Sequence, residues 1–435
     1  MNKSKLILVF MHGASAINGS FSLSHLLINR GHEVIYVGYE GDRKYIEEQE
    51  FKFHTFDISP FVKQQETAGS HLKSISRFRF GLRQSLRVIE HLFDQAECWI
   101  RELRPDLVLL DANNLDFSVP FIDCNVPIIN VSCTLSSFYA AGRPPVFSAL
   151  IPSAEGAFFS KLKADLAWKK LFLKQRYREI IFGAFLRIGF GTEKYTSIQT
   201  RVGQSGIELA RTEYGPRLRV PQIILGPQCL DFPRKNDSNK IWYTDACVDE
   251  HRKEPEIDLS FLQKEKTLIY CAMGTCSRHY DAINLYRCLY AVMRDLPDCQ
   301  LVLQTANTKD VDKCGVIPEN VRVFESVPQI EMLKRASLFI THGGFASFRE
   351  GVYFAKPMIV FPGWHDQPGN AARVEFHKLG RRGSMRTIKA SQLLQMIRQV
   401  LSDQTISSSL RDMQKNIRDD RDLYEAISLI ENYGS

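Results

Sequence analysis

From Thr341 to Asn370 the chain reads Thr-His-Gly-Gly-Phe-Ala-Ser-Phe-Arg-Glu-Gly-Val-Tyr-Phe-Ala-Lys-Pro-Met-Ile-Val-Phe-Pro-Gly-Trp-His-Asp-Gln-Pro-Gly-Asn. Its polar residues are spaced to hold an anion and then a polyol. An apolar run ending at Thr341, the pair Gly343-Gly344 and a helical pattern through Glu350 predict a strand, a tight turn and a helix. The amides opening such a helix, with Ser347 in its first turn, make an anion site suited to phosphate. Glu350 stands where a carboxylate takes a diol through two hydrogen bonds, as with ribose. The next apolar run ends at Pro362, and its loop presents Asp366 beside Gln367, groups that both make bidentate contacts to sugar hydroxyls. Taken singly, each piece has an ordinary explanation: Gly-Gly as a plain turn, His342 as a structural histidine, Asp-Gln as a solvated loop. The combination at these spacings does not.

Elements must hold these residues in place. Leu6–Met11, His32–Gly38, Asp106–Asp111 and Val126–Ser132 are Val/Ile/Leu-rich runs separated by helical patterns such as Ser20–Arg30. Thr267–Met273, Leu301–Thr305, Ala336–Thr341 and Pro357–Pro362 repeat the alternation later in the chain. Continuous apolar strands alternating with helices predict parallel sheets covered on both faces, with a ligand crevice at the carboxyl ends of the strands. Thr134 to Arg219 interrupts the pattern with aromatic, basic and helical sequence, and Ala390 to Tyr433 reads as amphipathic helix.

A chain of 435 residues is too long for one ordinary core. Two domains are expected, at 1–231 and 260–400, joined by a polar, proline-bearing linker at 232–259. A helical tail at 401–435 is expected to return to the first domain. The net charge of +7 is below that of a dedicated nucleic-acid binder, and no nucleic-acid partner is expected. A mean hydropathy of -0.20 with 44% hydrophobic residues is that of a globular protein. No stretch approaches the roughly 20 apolar residues of a membrane span, and Leu6–Met11 is too short for a signal peptide core. The ten cysteines form no C-x-x-C pair and no zinc-spaced cluster, and read as reduced thiols of a cytoplasmic protein.

The pattern H-G-G-x-x-S-x-x-E from His342, K-P-x-x-x-x-P from Lys356 and D-Q-x-x-N-A from Asp366 resembles the donor signature of UDP-dependent family 1 glycosyltransferases. These are the UDP-glucuronosyl/glucosyltransferase-like enzymes, here of the bacterial natural-product type. Ile17-Asn18 and Leu23 through Val34 are similar to that family's first strand, loop and helix. The resemblance implies an α/β chain of GT-B fold, two Rossmann-like domains whose parallel sheets face a central cleft. The acceptor would sit in the first and the nucleotide sugar in the second. It further implies phosphate contacts from His342, Gly343, Gly344 and Ser347, and a ribose contact from Glu350. A loop at Gly274 and Thr275 would close on the diphosphate, Val327 and Gln329 would border the nucleotide, and Asp366 and Gln367 would hold the sugar. Trp364 either walls the sugar pocket or packs. The glutamine favours glucose. No metal and no cofactor are implied, the UDP-sugar being a co-substrate. The spaced pair Asp420 and Asp422 is read as a solvated helix face.

Two departures bear on activity. The family's catalytic histidine falls on Ala16, which cannot accept a proton. The candidates for the base are His12, four residues earlier, and Asp111, which matches the aspartate that orients the histidine and would pair with His12 or act itself, with another group or no base as the third alternative. Ala346 replaces an asparagine that adds a phosphate contact, a loss on the order of 1 kcal/mol.

Phe138-Tyr139, Pro144–Phe147 and the aromatic stretch Phe158 to Phe190 point to an apolar cavity, hence a small lipophilic alcohol or phenol as acceptor, with ordinary core as the plain alternative. Lys161 to Arg187 mixes Lys and Arg with Leu, Trp and Phe. It reads as a solvated helix face, or as peripheral contact with an anionic membrane at its inner face. Three expectations follow: inverting transfer of a hexose to a small lipophilic hydroxyl, transfer to a membrane lipid, or a catalytically silent relative that binds nucleotide or a partner protein.

Overall fold

The computed structural model describes residues 4–56, 91, 93–153, 157–190, 202–233, 240–274, 281–306, 308–418 and 421–434. Thr275 and Asp420 lie outside these residues.

The first half contributes β1 (Leu6–Phe10), β2 (Glu33–Tyr39), β3 (Lys52–Phe56), β4 (Leu107–Asp111) and β5 (Ile128–Ser132). The hairpin strands β6 (Leu209–Thr212) and β7 (Gly215–Leu218) follow, then β8 (Gln222–Ile224) and β9 (Ile241–Tyr243). Seven of them form a parallel sheet in the order β3-β2-β1-β4-β5-β8-β9, with β6 and β7 paired antiparallel beside it. β4 and β5 are buried at every residue, as strands covered on both faces must be. β9 falls inside the stretch expected to be only a linker, so part of 232–259 belongs to the first sheet.

The second sheet is parallel throughout, in the order β12 (Val321–Phe324), β11 (Cys299–Gln304), β10 (Thr267–Ala272), β13 (Leu338–Thr341), β14 (Met358–Val360) and β15 (Gly380–Arg382). In both sheets the chain reverses direction of travel once, between β1 and β4 and between β10 and β13. The crevice at the carboxyl ends of the strands opens at such switch points.

Five helices matter for the site and its frame. α1 (Ala14–Asn29) starts six residues before the expected Ser20, because Gly13 at φ 83° turns the chain directly off β1. α2 (Ala157–Phe190) is the long basic helix. α3 (Phe345–Tyr353) and α4 (Gln367–Phe376) follow β13 and β14. The expected single tail helix is three, broken at Asp403, whose carboxylate accepts the Thr405 and Ile406 amides and so caps a new helix. The last of them, α5 (Arg421–Asn432), packs Leu423, Ala426, Ile427 and Ile430 into the core beneath β1 and β2. Lys5 ties it down by donating to the carbonyls of Ile430 and Tyr433 at 3.2 and 2.8 Å.

Candidate active site

The donor side is built at the carboxyl ends of β10 and β13. After β13, Gly343 takes φ 81°, and Gly344 is the N-cap of α3, whose amides no side chain caps. These N–H groups therefore remain for an anion. Ser347 is buried in the first turn. The His342 ring is flanked by glycines: a Cβ on Gly274 would stand 2.5 Å from its Cε1, and one on Gly344 2.7 Å from its Nε2. The Gly-Gly pair thus does more than turn the chain. His342 Nδ1 lies 3.3 Å from the Ala272 carbonyl, and burial draws the imidazole down to about 4.

Glu350 and Gln329 meet, Gln329 donating to Glu350. Arg252, from the presumed linker, joins them, with Nη1 2.6 Å from Glu350 Oε1 and Nη2 2.7 Å from Glu254. Glu254 in turn accepts the Ile330 amide at 2.8 Å. A carboxylate has about four acceptor sites, so Glu350 retains capacity for a diol beside these two bonds. Val327, just before Gln329, has its apolar side chain buried in the core of the second half.

The sugar loop is locked from both sides. Asn370 Nδ2 donates to Asp366 at 2.9 Å and to the Gly343 carbonyl at 2.9 Å, so one amide couples the two parts of the signature. Gln367 Oε1 accepts the amides of Gly363 and Trp364 at 2.8 and 3.2 Å. Asp366 is buried, which pushes its carboxyl above the ordinary value. Trp364 is 42% exposed and tilts against His365 at 4.5 Å. Across the cleft, Phe147 and Tyr214 of the first half lie 5.8 and 6.4 Å from the His365 ring.

On the acceptor side Asp111 closes β4 at the switch point and is buried. Burial pushes its carboxyl up, opposed by the Asn113 amide at 2.9 Å, the charge of Arg217 and the His12 amide. His12 is exposed, and its ring stands edge-on to Tyr39 at 5.6 Å. Among the described residues no hydrogen bond or ion pair joins the His12 ring to the Asp111 carboxylate. The contact runs through the backbone, because His12 leaves the strand pointing toward Tyr39. Ala16 is buried in the first turn of α1. Burial, then the charges of Asp111 and Asp366, push the Cys133 thiol up to about 12.

Residues 292–423 match the family described as Erythromycin biosynthesis protein CIII-like, C-terminal domain. NDP-glycosyltransferase YjiC of Bacillus subtilis (strain 168) is 23% identical over 422 residues, 96% of this chain and 94% of that protein. Zeaxanthin glucosyltransferase of Pantoea ananas is 22% identical over 91% of this chain and 88% of its own. The solved structure of the glycotransferase of kitacinnamycin superposes with TM-score 0.67 at 21% identity, covering 99% of both chains. The calicheamicin glycosyltransferase CalG4 gives 0.67 at 15% identity over 99% of this chain and 98% of its own. The chain is a glycosyltransferase of GT-B fold, similar to the family 1 natural-product enzymes.

In this glycosyltransferase the sequence reading missed the floor of the acceptor side. Arg217, on β7, is fully buried, donates through Nη2 to Asn113 and lies 4.9 Å over the Tyr214 ring. Among the described residues its Nε and Nη1 have no partner, so it brings uncommitted donors beside Asp111. Glu213-Tyr214-Gly215 was a legible hairpin turn, with Gly215 at φ 110°. Nothing local marked this arginine as the buried one. Of the stretches expected to line a cavity or to be ordinary core, Val146 is core, and Phe158 and Phe159 face solvent, because α2 rests on the protein through its opposite side.

His342 carries a pH prediction. Unfolded, it protonates near 6.5; folded, near 4. The unfolded chain therefore binds the extra proton between these values, so the contribution to stability is full above 6.5 and is lost as pH falls through 4. Thermal melts should show wild-type Tm falling more steeply across that window than the Tm of His342→Asn. Parallel curves would refute a neutral, buried imidazole.

Proposed function

We propose that this glycosyltransferase performs metal-independent, inverting transfer of a hexose, glucose favoured, from a UDP-sugar to a hydroxyl of a small lipophilic acceptor. The observation that carries this reading is the arrangement after β13, where the amides opening α3 carry no side-chain cap and Asn370 bonds both Gly343 and the buried Asp366, with a second buried carboxylate, Asp111, ending β4 of the first half. In this reading Asp111 serves the acceptor and Asp366 the donor sugar. In this mechanism Asp111 takes the proton of the acceptor hydroxyl as its oxygen attacks the anomeric carbon. The bond from that carbon to the β-phosphate breaks, and the diphosphate leaves with the charge. The amides of α3 and the Ser347 hydroxyl stabilise that charge. Asp366 and Gln367 orient the sugar, while Gln329 and Glu350 take the ribose.

The name of the Pantoea ananas relative, Zeaxanthin glucosyltransferase, supports both glucose and a lipophilic acceptor. Thymidine diphosphate, present in a structure of the spinosyn rhamnosyltransferase SpnG, is the competing donor nucleotide. The deciding experiment offers UDP-glucose and TDP-glucose with a panel of lipophilic alcohols and phenols, following nucleotide release and glycoside mass. Acceptor-dependent glucoside formation, reduced at least 100-fold in Asp366→Ala (about 3 kcal/mol of lost transition-state binding), is expected. Tight UDP-glucose binding with no turnover on any acceptor would instead favour a silent, nucleotide-binding relative, the reading that Ala16 suggests.

A further inference from the structure

The helix α2 has two unlike faces. One is held against the first half: Ala164 and Trp168 are buried, and Trp168 Nε1 donates to the Arg143 carbonyl at 2.7 Å. On the same side Asp165 accepts the Gly142 amide at 3.1 Å, and Gln175 donates to the carbonyls of Thr212 and Glu213 at 2.9 and 2.8 Å. At about 100° per residue, the opposite side carries Phe158, Leu162, Leu166, Leu173, Tyr177 and Ile180. They are 73, 44, 53, 70, 65 and 62% exposed. Six large apolar side chains thus form one stripe, about 35 Å long and about 100° wide.

The charges around the stripe name its occupant. Lys169 and Arg176 fall along one edge, and Lys163, Lys170 and Lys174 along the other. The two acidic residues of this stretch are turned away: Asp165 is bonded to the Gly142 loop, and Glu179 pairs with Arg211 of β6 at 3.2 Å. An apolar stripe bordered on both sides by cations, with the carboxylates spent on the protein side, is complementary to acyl chains beneath a layer of anionic headgroups. Lysine and arginine stems reach from the apolar level to the phosphates. No helix among the described residues is long and apolar enough to cross a membrane, so the contact is in the plane of the bilayer.

We propose that the outer face of α2 docks this enzyme on an anionic lipid bilayer. Through Gln175 the helix is bonded to the turn that carries Tyr214, so docking brings the acceptor side of the cleft to the surface into which lipophilic hydroxyl compounds partition. The docking itself stands independently of the transfer chemistry.

The test is co-sedimentation of the full chain, without substrates, using phosphatidylcholine–phosphatidylglycerol vesicles and pure phosphatidylcholine vesicles at low and high salt. The chain is expected to pellet with the anionic vesicles only, and less at high salt. Leu166→Glu with Leu173→Glu should lower partitioning at least tenfold, and Lys169→Glu with Lys170→Glu about tenfold or more. All four positions face outward, and unchanged Tm and UDP binding would verify the fold. Failure to pellet with anionic vesicles, or equal pelleting of the Leu166→Glu/Leu173→Glu variant, overturns the proposal. So does sedimentation velocity showing a dimer that this variant dissociates in the absence of any vesicle binding, which would assign the stripe to a second copy of the chain.

Discussion

Asp111→Asn is expected to cut acceptor-dependent turnover by about 10²- to 10⁴-fold, the range over which a positioned base contributes, while UDP affinity stays unchanged. Asparagine keeps the shape of the side chain and can still accept the Asn113 and His12 amides, so the variant removes the base with little else. The carboxyl is buried at the end of β4, and burial raises it toward the pH at which a carboxylate is a better proton acceptor. The acid limb of kcat/KM should accordingly lie above the ordinary aspartate range, with activity rising as pH increases through it. His12→Ala is expected to leave most of the activity, because that ring is turned to Tyr39. Equal losses in the two variants would assign proton removal to His12 with its loop rearranged. A loss in His12→Ala alone would reverse the assignment.

Why the donor side could be read in advance and the acceptor side could not is a matter of sequence distance. His342, Ser347, Glu350, Asp366 and Gln367 lie within one strand-turn-helix-strand-loop segment. Their spacing is itself the geometry, and Asn370 closes it with two local bonds. Asp111, Arg217, Tyr214 and Asp366 meet only through the tertiary fold. No window of sequence contains the information that Arg217 is buried and Arg219 is not. The same logic divides the strands. β1 and β4 are continuous apolar runs and declare themselves, whereas β9 (Ile-Trp-Tyr) and β15 (Gly-Arg-Arg) are three-residue edge strands chosen by their neighbours. α2 was ambiguous because it is apolar on two sides, one for the protein and one exposed, so periodicity alone could not tell cavity from surface.

Asp231 should be the most costly single residue to lose for stability. Its side chain is fully buried and accepts from Arg143 Nη1 at 2.6 Å and from Arg373 Nε and Nη2 at 2.9 and 2.6 Å. Burial alone would push its carboxyl up, but the charges of Arg373 and Arg143 overcome this and hold it below the ordinary value. Its stabilising contribution is therefore complete above pH 3.8 and is lost only as pH falls through the depressed value. Asp231→Ala would strand two buried guanidinium groups, costing about 3–5 kcal/mol and lowering Tm by on the order of 10 °C. The replacement of all three by apolar residues of similar size, Arg143→Met, Asp231→Leu and Arg373→Met, is expected to recover much of that loss, since no charge of the triad itself then remains unpaired. Activity should not recover with it. Arg373 belongs to α4, the helix that opens with Gln367, while Arg143 and Asp231 belong to the first half, so the ion triad holds the sugar loop against the acceptor side. Where α4 meets that half, a Cβ on Gly369 would lie only 1.8 Å from the Val146 carbonyl, too close for any side chain. A triple variant that melts like wild type yet turns over slowly, with KM for the donor raised, would identify the triad as a positioning device. One that restores stability and activity together would make it structural ballast only.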